Sequence, residues 1–130
     1  MKARLRYTGI RVKDLDASVR FYTTVLGLRV MDSVRFDETK GKVVDLVGEG
    51  SPHLLELNFY EEGSPYATSY EVGEGLDHLG FRVSDLDEAI RAAAAAGHPV
   101  VDEIRSGGNR WVYVRDPDGI WIELSADVPT

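Results

Sequence analysis

Tyr7-Thr-Gly-Ile-Arg-Val-Lys-Asp-Leu-Asp-Ala-Ser18 returns 71 positions later as His78-Leu-Gly-Phe-Arg-Val-Ser-Asp-Leu-Asp-Glu-Ala89. A second pair, Leu54-Leu-Glu-Leu57 and Trp121-Ile-Glu-Leu124, recurs at an offset of 67. A unit duplicated within 130 residues predicts two modules facing each other. Tyr7, Glu56, His78 and Glu123 interrupt the apolar runs of their strands at equivalent places. They are therefore expected to line one shared site.

Each copy reads as βαβββ, an α+β protein. Tyr7 to Val12 alternates with period two, so Thr8, Ile10 and Val12 share one face, and Tyr7, Gly9 and Arg11 the other. Asp14 is an N-cap candidate, the apolar set Leu15, Val19, Tyr22 and Leu26 follows helical spacing, and Gly27 is placed to end the helix. Strands are expected at 29–34, 42–47 and 53–60. The second copy predicts a strand at 78–83 and a helix capped by Asp85 with Glu88 that stops at Gly97. Strands near 100–105, 111–115 and 120–125 follow, the last two joined by the turn Asp116-Pro-Asp-Gly119. The expected organisation is one domain over 1–130, with a first module at 4–60, a linker at 61–75 and a second module at 76–126. The linker's Tyr66 and Tyr70 need apolar surface to pack on.

Composition narrows the function. The chain carries a net charge of −7, and no phosphate-neutralising basic surface is evident, which argues against nucleic acid and anionic membranes. No apolar run approaches the roughly 20 residues that span a bilayer, and no secretory signal is evident. There is no cysteine, hence no disulfide, thiol ligand or thiol nucleophile. A cytoplasmic protein is expected.

Alternation gathers Tyr7, Arg11, Glu56, Asn58, His78, Arg82, Trp121 and Glu123 on the faces opposite the apolar ones. Two carboxylates on an enclosed face cost several kcal/mol each unless compensated. Two compensators suit the residue types. A divalent cation would take His78, Glu56 and Glu123 as ligands and keep positions for water or substrate. Arg11 and Arg82 would instead pair with the two glutamates. His53 reads as a strand-end surface residue and His98 as a solvated loop residue. Gly107-Gly108-Asn109 lacks the following helix that a phosphate cradle needs. Trp111 and Trp121 suit an apolar pocket, the core or a dimer interface.

These stretches, with Phe21-Tyr-Thr-Thr-Val-Leu-Gly-Leu28 and Asp116-Pro-Asp-Gly-Ile-Trp-Ile-Glu-Leu124, resemble the vicinal oxygen chelate superfamily. It includes glyoxalase I, extradiol dioxygenases and bleomycin-resistance proteins. The resemblance implies the glyoxalase/bleomycin-resistance/dioxygenase fold, two curved mixed sheets with helices outside. It also implies a divalent ion (Ni, Zn, Mn, Mg or Fe) at Tyr7, Glu56, His78 and Glu123. Tyr7 stands where the family usually has His or Gln, and a phenol ligates metal readily only once deprotonated. The implied activity is that of a lyase or isomerase. It would chelate vicinal oxygens of a small α-oxo or thiol-adduct substrate and stabilise an enediolate, with Glu123 or Glu56 moving the proton. Arg11, Asn58, Arg82, Tyr60, Trp111 and Trp121 would contact substrate. Short homologues commonly form homodimers, sometimes sharing the site between subunits, so a homodimer is expected. The alternatives are a metal-free bleomycin-resistance-type binding protein and an extradiol-type dioxygenase. The last wants two histidines with a carboxylate, and only His78 stands at a ligand-type position.

Overall fold

The computed structural model describes residues 2 and 5–126; the expected module start at residue 4 and the chain end at 127–130 lie outside the described residues. The chain divides into two compact units, residues 1–69 and 70–130.

The first unit begins with β1 (Tyr7–Arg11), followed by helix α1 (Leu15–Arg20). Asp14 sits in the extended region and its Oδ1 accepts the Ala17 N–H at 3.0 Å, the cap its residue type predicted. The helix does not run on unchanged to Gly27. Its second half, Phe21–Val25, widens into a π-type turn that buries Phe21, Tyr22 and Val25. Periodicity cannot see this change, because the apolar spacing still serves the buried face. Leu28 N–H then bonds the Tyr22 carbonyl at 3.0 Å around Gly27, whose φ of 71° is in the left-handed region.

Strands β2 (Arg29–Phe36), β3 (Gly41–Val47) and β4 (Leu54–Tyr60) complete a sheet of order β1-β4-β3-β2. β1 runs parallel to β4 with Gly9 opposite Glu56, and β3 runs antiparallel to β4 with Asp45 opposite Glu56. Ile10, Val44, Leu46, Leu55 and Leu57 fill the core on one face. β2 is an edge strand with a bulge at Met31, and it is exposed along its whole length. Residues 61–69 are not a free linker. Ser64 Oγ donates to the Thr39 carbonyl at 2.5 Å and Tyr66 stacks on Tyr60, so this stretch packs onto its own module.

The second unit repeats the plan with β5 (His78–Val83), α2 (Leu86–Ala95), β6 (Asp102–Ser106), β7 (Asn109–Arg115) and β8 (Trp121–Ala126), sheet order β5-β8-β7-β6. Asp85 Oδ1 accepts the Glu88 N–H at 3.0 Å to start α2, which buries Leu86, Ala89 and Ala93. The turn before β8 is pinned by buried Asp116, whose Oδ1 accepts the N–H groups of Asp118 and Ile120 at 2.9 and 2.8 Å. Val112, Val114, Ile122 and Leu124 form this unit's core face. The two βαβββ modules expected from the repeat are both present. No helix among the described residues is long and apolar enough to cross a membrane.

Candidate functional site

Strand pairing puts the two glutamates at the same register position. Glu56 lies across from Gly9 on its parallel neighbour and from Asp45 on its antiparallel one. Glu123 lies across from Gly80 and from Tyr113. Residues opposite one another share a sheet face, so each module's site face can be read outward from its glutamate.

In the first module that face carries Tyr7, Gly9, Arg11, Asp45, Glu56, Asn58 and Tyr60. Gly9 keeps it open: a Cβ there would stand 3.2 Å from Asn58 Nδ2 and 3.9 Å from Glu56 Oε1. Burial above all, and Asp45 next, hold the Glu56 carboxyl above the usual carboxylate range, while Asn58 opposes them. Asp45 Oδ1 is itself buried with no hydrogen-bond partner. Two facing carboxylates can only accept, so one stays orphaned unless a proton or a cation comes between them. Tyr7 is about half exposed. Arg11 Nη1 donates to Thr68 Oγ1 at 3.0 Å, and its guanidinium lies 5.9 Å from the Tyr60 ring centroid. Tyr66 then stacks on Tyr60 with centroids 5.6 Å apart. Arg11 and Tyr60 are thus tied to the stretch read as linker.

In the second module the face carries His78, Gly80, Arg82, Trp111, Tyr113, Trp121 and Glu123. His78 Nδ1 donates to Asp77 Oδ1 at 2.7 Å, which in the neutral ring leaves Nε2 as the lone-pair nitrogen. Tyr113 donates its hydroxyl to Glu123 Oε1 at 3.1 Å. Burial, then the Glu123 carboxylate, push the Tyr113 phenol upward, so it is a donor at neutral pH. Two clefts open on this module. One, of about 840 Å³, is lined by Arg82, Trp111, Glu123 and Ser125 among others. The other, of about 460 Å³, is lined by Asp77, His78, Asp102, Ile104, Tyr113 and Trp121. Trp111 and Trp121 therefore border open space on the site face.

Among the described residues, no three His, Asp or Glu side chains gather closely enough to hold a metal ion. The donor chemistry still fits a hard or borderline divalent ion: carboxylates, an imidazole with its tautomer fixed, an orphaned carboxylate oxygen, and a glycine beside each glutamate.

Two side chains escaped the sequence reading, Asp45 and Tyr113. The signal existed in the first case, since Asp45 breaks the run Val43-Val44-Asp45-Leu46-Val47 as Glu56 breaks its own. Two histidines differ from expectation. His98 is half-buried and its Nδ1 donates to the Arg115 carbonyl at 2.7 Å, bracing the end of β7. His53 bonds Thr8 Oγ1 through Nε2 at 2.8 Å in a partly buried contact.

Residues 4–124 match the family model described as the Glyoxalase/Bleomycin resistance protein/Dioxygenase superfamily. The chain is 32% identical to the lactoylglutathione lyase of Haemophilus influenzae, over 93% of this chain and 90% of that one. It is 30% identical to the lactoylglutathione lyase of Schizosaccharomyces pombe, over 98% of this chain and 48% of that one. It spans less than half the length of the longer curated relatives, those of Brassica oleracea, Arabidopsis thaliana and S. pombe. Among solved structures, the trypanothione-dependent glyoxalase I of Leishmania major superposes with a TM-score of 0.77 at 35% identity, covering 96% of this chain and 87% of that one. With the duplicated βαβββ modules and their matched glutamates, these likenesses place the chain in the Glyoxalase/Bleomycin resistance protein/Dioxygenase superfamily.

Proposed function

We propose that this chain is a metal-dependent lyase or isomerase of the glyoxalase I type, acting on a small α-oxo or thiol-adduct substrate. The observation that carries the reading is the pair of glutamates at one register position, each beside a glycine that keeps it uncovered. The likeness to lactoylglutathione lyases over nearly the whole chain supports it. Glu56, His78 and Glu123, with Tyr7, would hold the ion. When bound, a divalent cation supplies Lewis-acid polarisation of neighbouring substrate oxygens. Glu123, or Glu56, would take the proton from one oxygen-bearing carbon of the substrate and return it to the neighbouring oxygen-bearing carbon. Arg11 and Arg82 orient anionic substrate groups, assisted by Asn58. Tyr60, Trp111 and Trp121 cover its apolar part. We place the enzyme in the cytoplasm as a homodimer. The edge strand β2 supports the dimer, since Val30, Met31, Val34 and Phe36 are all exposed on it.

The test is metal content of protein purified without chelator and after soaking with Ni²⁺, Zn²⁺, Mn²⁺ or Mg²⁺, with turnover of the hemithioacetal of methylglyoxal and glutathione. About one ion per site in the wild type is expected, lost in Glu56→Ala and Glu123→Ala. Absence of bound ion under every condition would refute the metal-dependent reading. It would favour the second one, metal-free sequestration of an aromatic or cationic ligand. The cleft of about 460 Å³ supports that reading, because Trp121 and Tyr113 present rings there beside Asp77 and Asp102.

A further inference from the structure

The modules repeat each other closely at the site, so the place where they differ carries information. The residue facing the glutamate on the penultimate strand is Asp45 in the first module and Tyr113 in the second. A carboxylate has no hydrogen to give, whereas a phenol has one. Tyr113 gives it to Glu123 Oε1 at 3.1 Å. The other oxygen, Oε2, turns toward β5 and lies 3.3 Å from where a Cβ on Gly80 would stand. The Tyr113 ring is itself set in place. His78 meets it edge-on with centroids 5.7 Å apart, and Trp121 lies against it at 5.3 Å.

We propose that Tyr113 is a positioning residue that holds one oxygen of Glu123 so that the other faces the ligand. The proposal rests on the lyase reading for what that ligand is. Rotation of the carboxylate about its last torsion would break the bond to the phenol, so the bond selects one orientation. Through its contact with His78 the same ring couples the orientation of the glutamate to that of the imidazole two register positions away. Glu56 has no such donor across from it, since Asp45 is a second acceptor. The two glutamates are therefore held differently: Glu123 by a donor on the neighbouring strand, Glu56 by Asn58 on its own strand beside an acceptor on the neighbouring one. The hold on Glu123 suits the carboxylate that must meet a substrate carbon at a set angle.

Tyr113→Phe removes the hydroxyl and keeps the ring. Ni²⁺ affinity, measured by titration calorimetry on chelator-stripped protein, is expected to fall by about 10- to 100-fold, the range for losing a ligand's hydrogen-bonded support. In parallel, thermal unfolding of the metal-free wild type, Tyr113→Phe, Glu123→Ala and the double variant reads the coupling of the two side chains. The double variant is expected to lose clearly less than the sum of the single losses. Additive losses, or Ni²⁺ affinity unchanged in Tyr113→Phe, would overturn the proposal. If the wild type takes up neither Ni²⁺ nor Zn²⁺, the lyase reading falls. The unfolding cycle then decides the positioning claim alone, coupling supporting it and additivity overturning it.

Discussion

Asp45→Asn is expected to make the metal-free protein more stable at pH 8 and to lose that gain near pH 4. In the wild type two carboxylates face each other across β3 and β4, with one Asp45 oxygen buried and unpaired. Burial and Asp45 hold the Glu56 carboxyl above its ordinary range. A carboxyl raised on folding binds its proton more tightly in the native state. Its contribution to stability is therefore greatest at low pH and shrinks as pH rises through the folded value. An asparagine removes one charge and supplies an N–H donor. Like charges directly opposite on neighbouring strands cost about 0.2–1 kcal/mol, and a hydrogen bond to a charged acceptor contributes about 1.5–3 kcal/mol. Glu56 is only partly withdrawn from water, so we take a net gain of about 1–2 kcal/mol at pH 8. For a chain of this length that raises Tm by about 4–8 °C. At low pH the raised Glu56 carboxyl takes up its proton and the like-charge opposition is relieved, so the substitution brings little there. Thermal unfolding at both pH values with chelator present measures this, the chelator preventing ion binding from adding stability of its own. An equal gain at both pH values, or none at pH 8, would refute the account of this pair.

Gly80→Ala puts a methyl 3.3 Å from Glu123 Oε2, so it is expected to weaken Ni²⁺ binding by about tenfold. Its unfolding free energy should move by less than about 1 kcal/mol, because the entropy gained from removing a strand glycine offsets the crowding. Asp116→Ala strips a buried acceptor from two N–H groups and should cost about 2–4 kcal/mol, read by urea unfolding. Leu57→Ala, at a fully buried site beneath α1, should cost about 2–5 kcal/mol with ion affinity retained by the remaining folded protein. Tyr7→His should raise ion affinity in calorimetry, since a neutral imidazole ligates without first losing a proton; unchanged affinity would remove Tyr7 from the ligand set.

The repeat made the fold legible because it is a comparison the chain makes with itself. Period-two alternation then set the facing of each strand. Asp14 and Asp85 marked the helix starts because a capping carboxylate acts locally, within three residues. What stayed hidden depends on partners far along the chain. The π-type turn at Phe21–Val25 keeps the apolar spacing of an α-helix while changing its hydrogen bonds. Residues 61–69 looked like linker because glycine, proline and charge dominate there. Their anchors, Thr39 for Ser64 and Arg11 for Thr68, lie 25 and 57 positions away. His98 looked solvated for the same reason, its acceptor being the Arg115 carbonyl.

Asp45 and Tyr113 show what a one-dimensional reading of a duplicated site leaves out. Alternation says which face a residue is on, but not which residue it faces across the ladder. Only the register of β3 on β4 and of β7 on β8 makes each of them the neighbour of a glutamate. Duplication starts two sites as equals, and a metal or a substrate needs them to become different. The divergence can be expressed at the glutamates themselves or at whatever faces them. Here both modules carry the glutamate and differ in its neighbour, an acceptor in one and a donor in the other. The first leaves a carboxylate that a proton or cation must satisfy; the second leaves one that is satisfied on one side and open on the other. On the lyase reading proposed above, the strand next door sets the division of labour between two identical side chains.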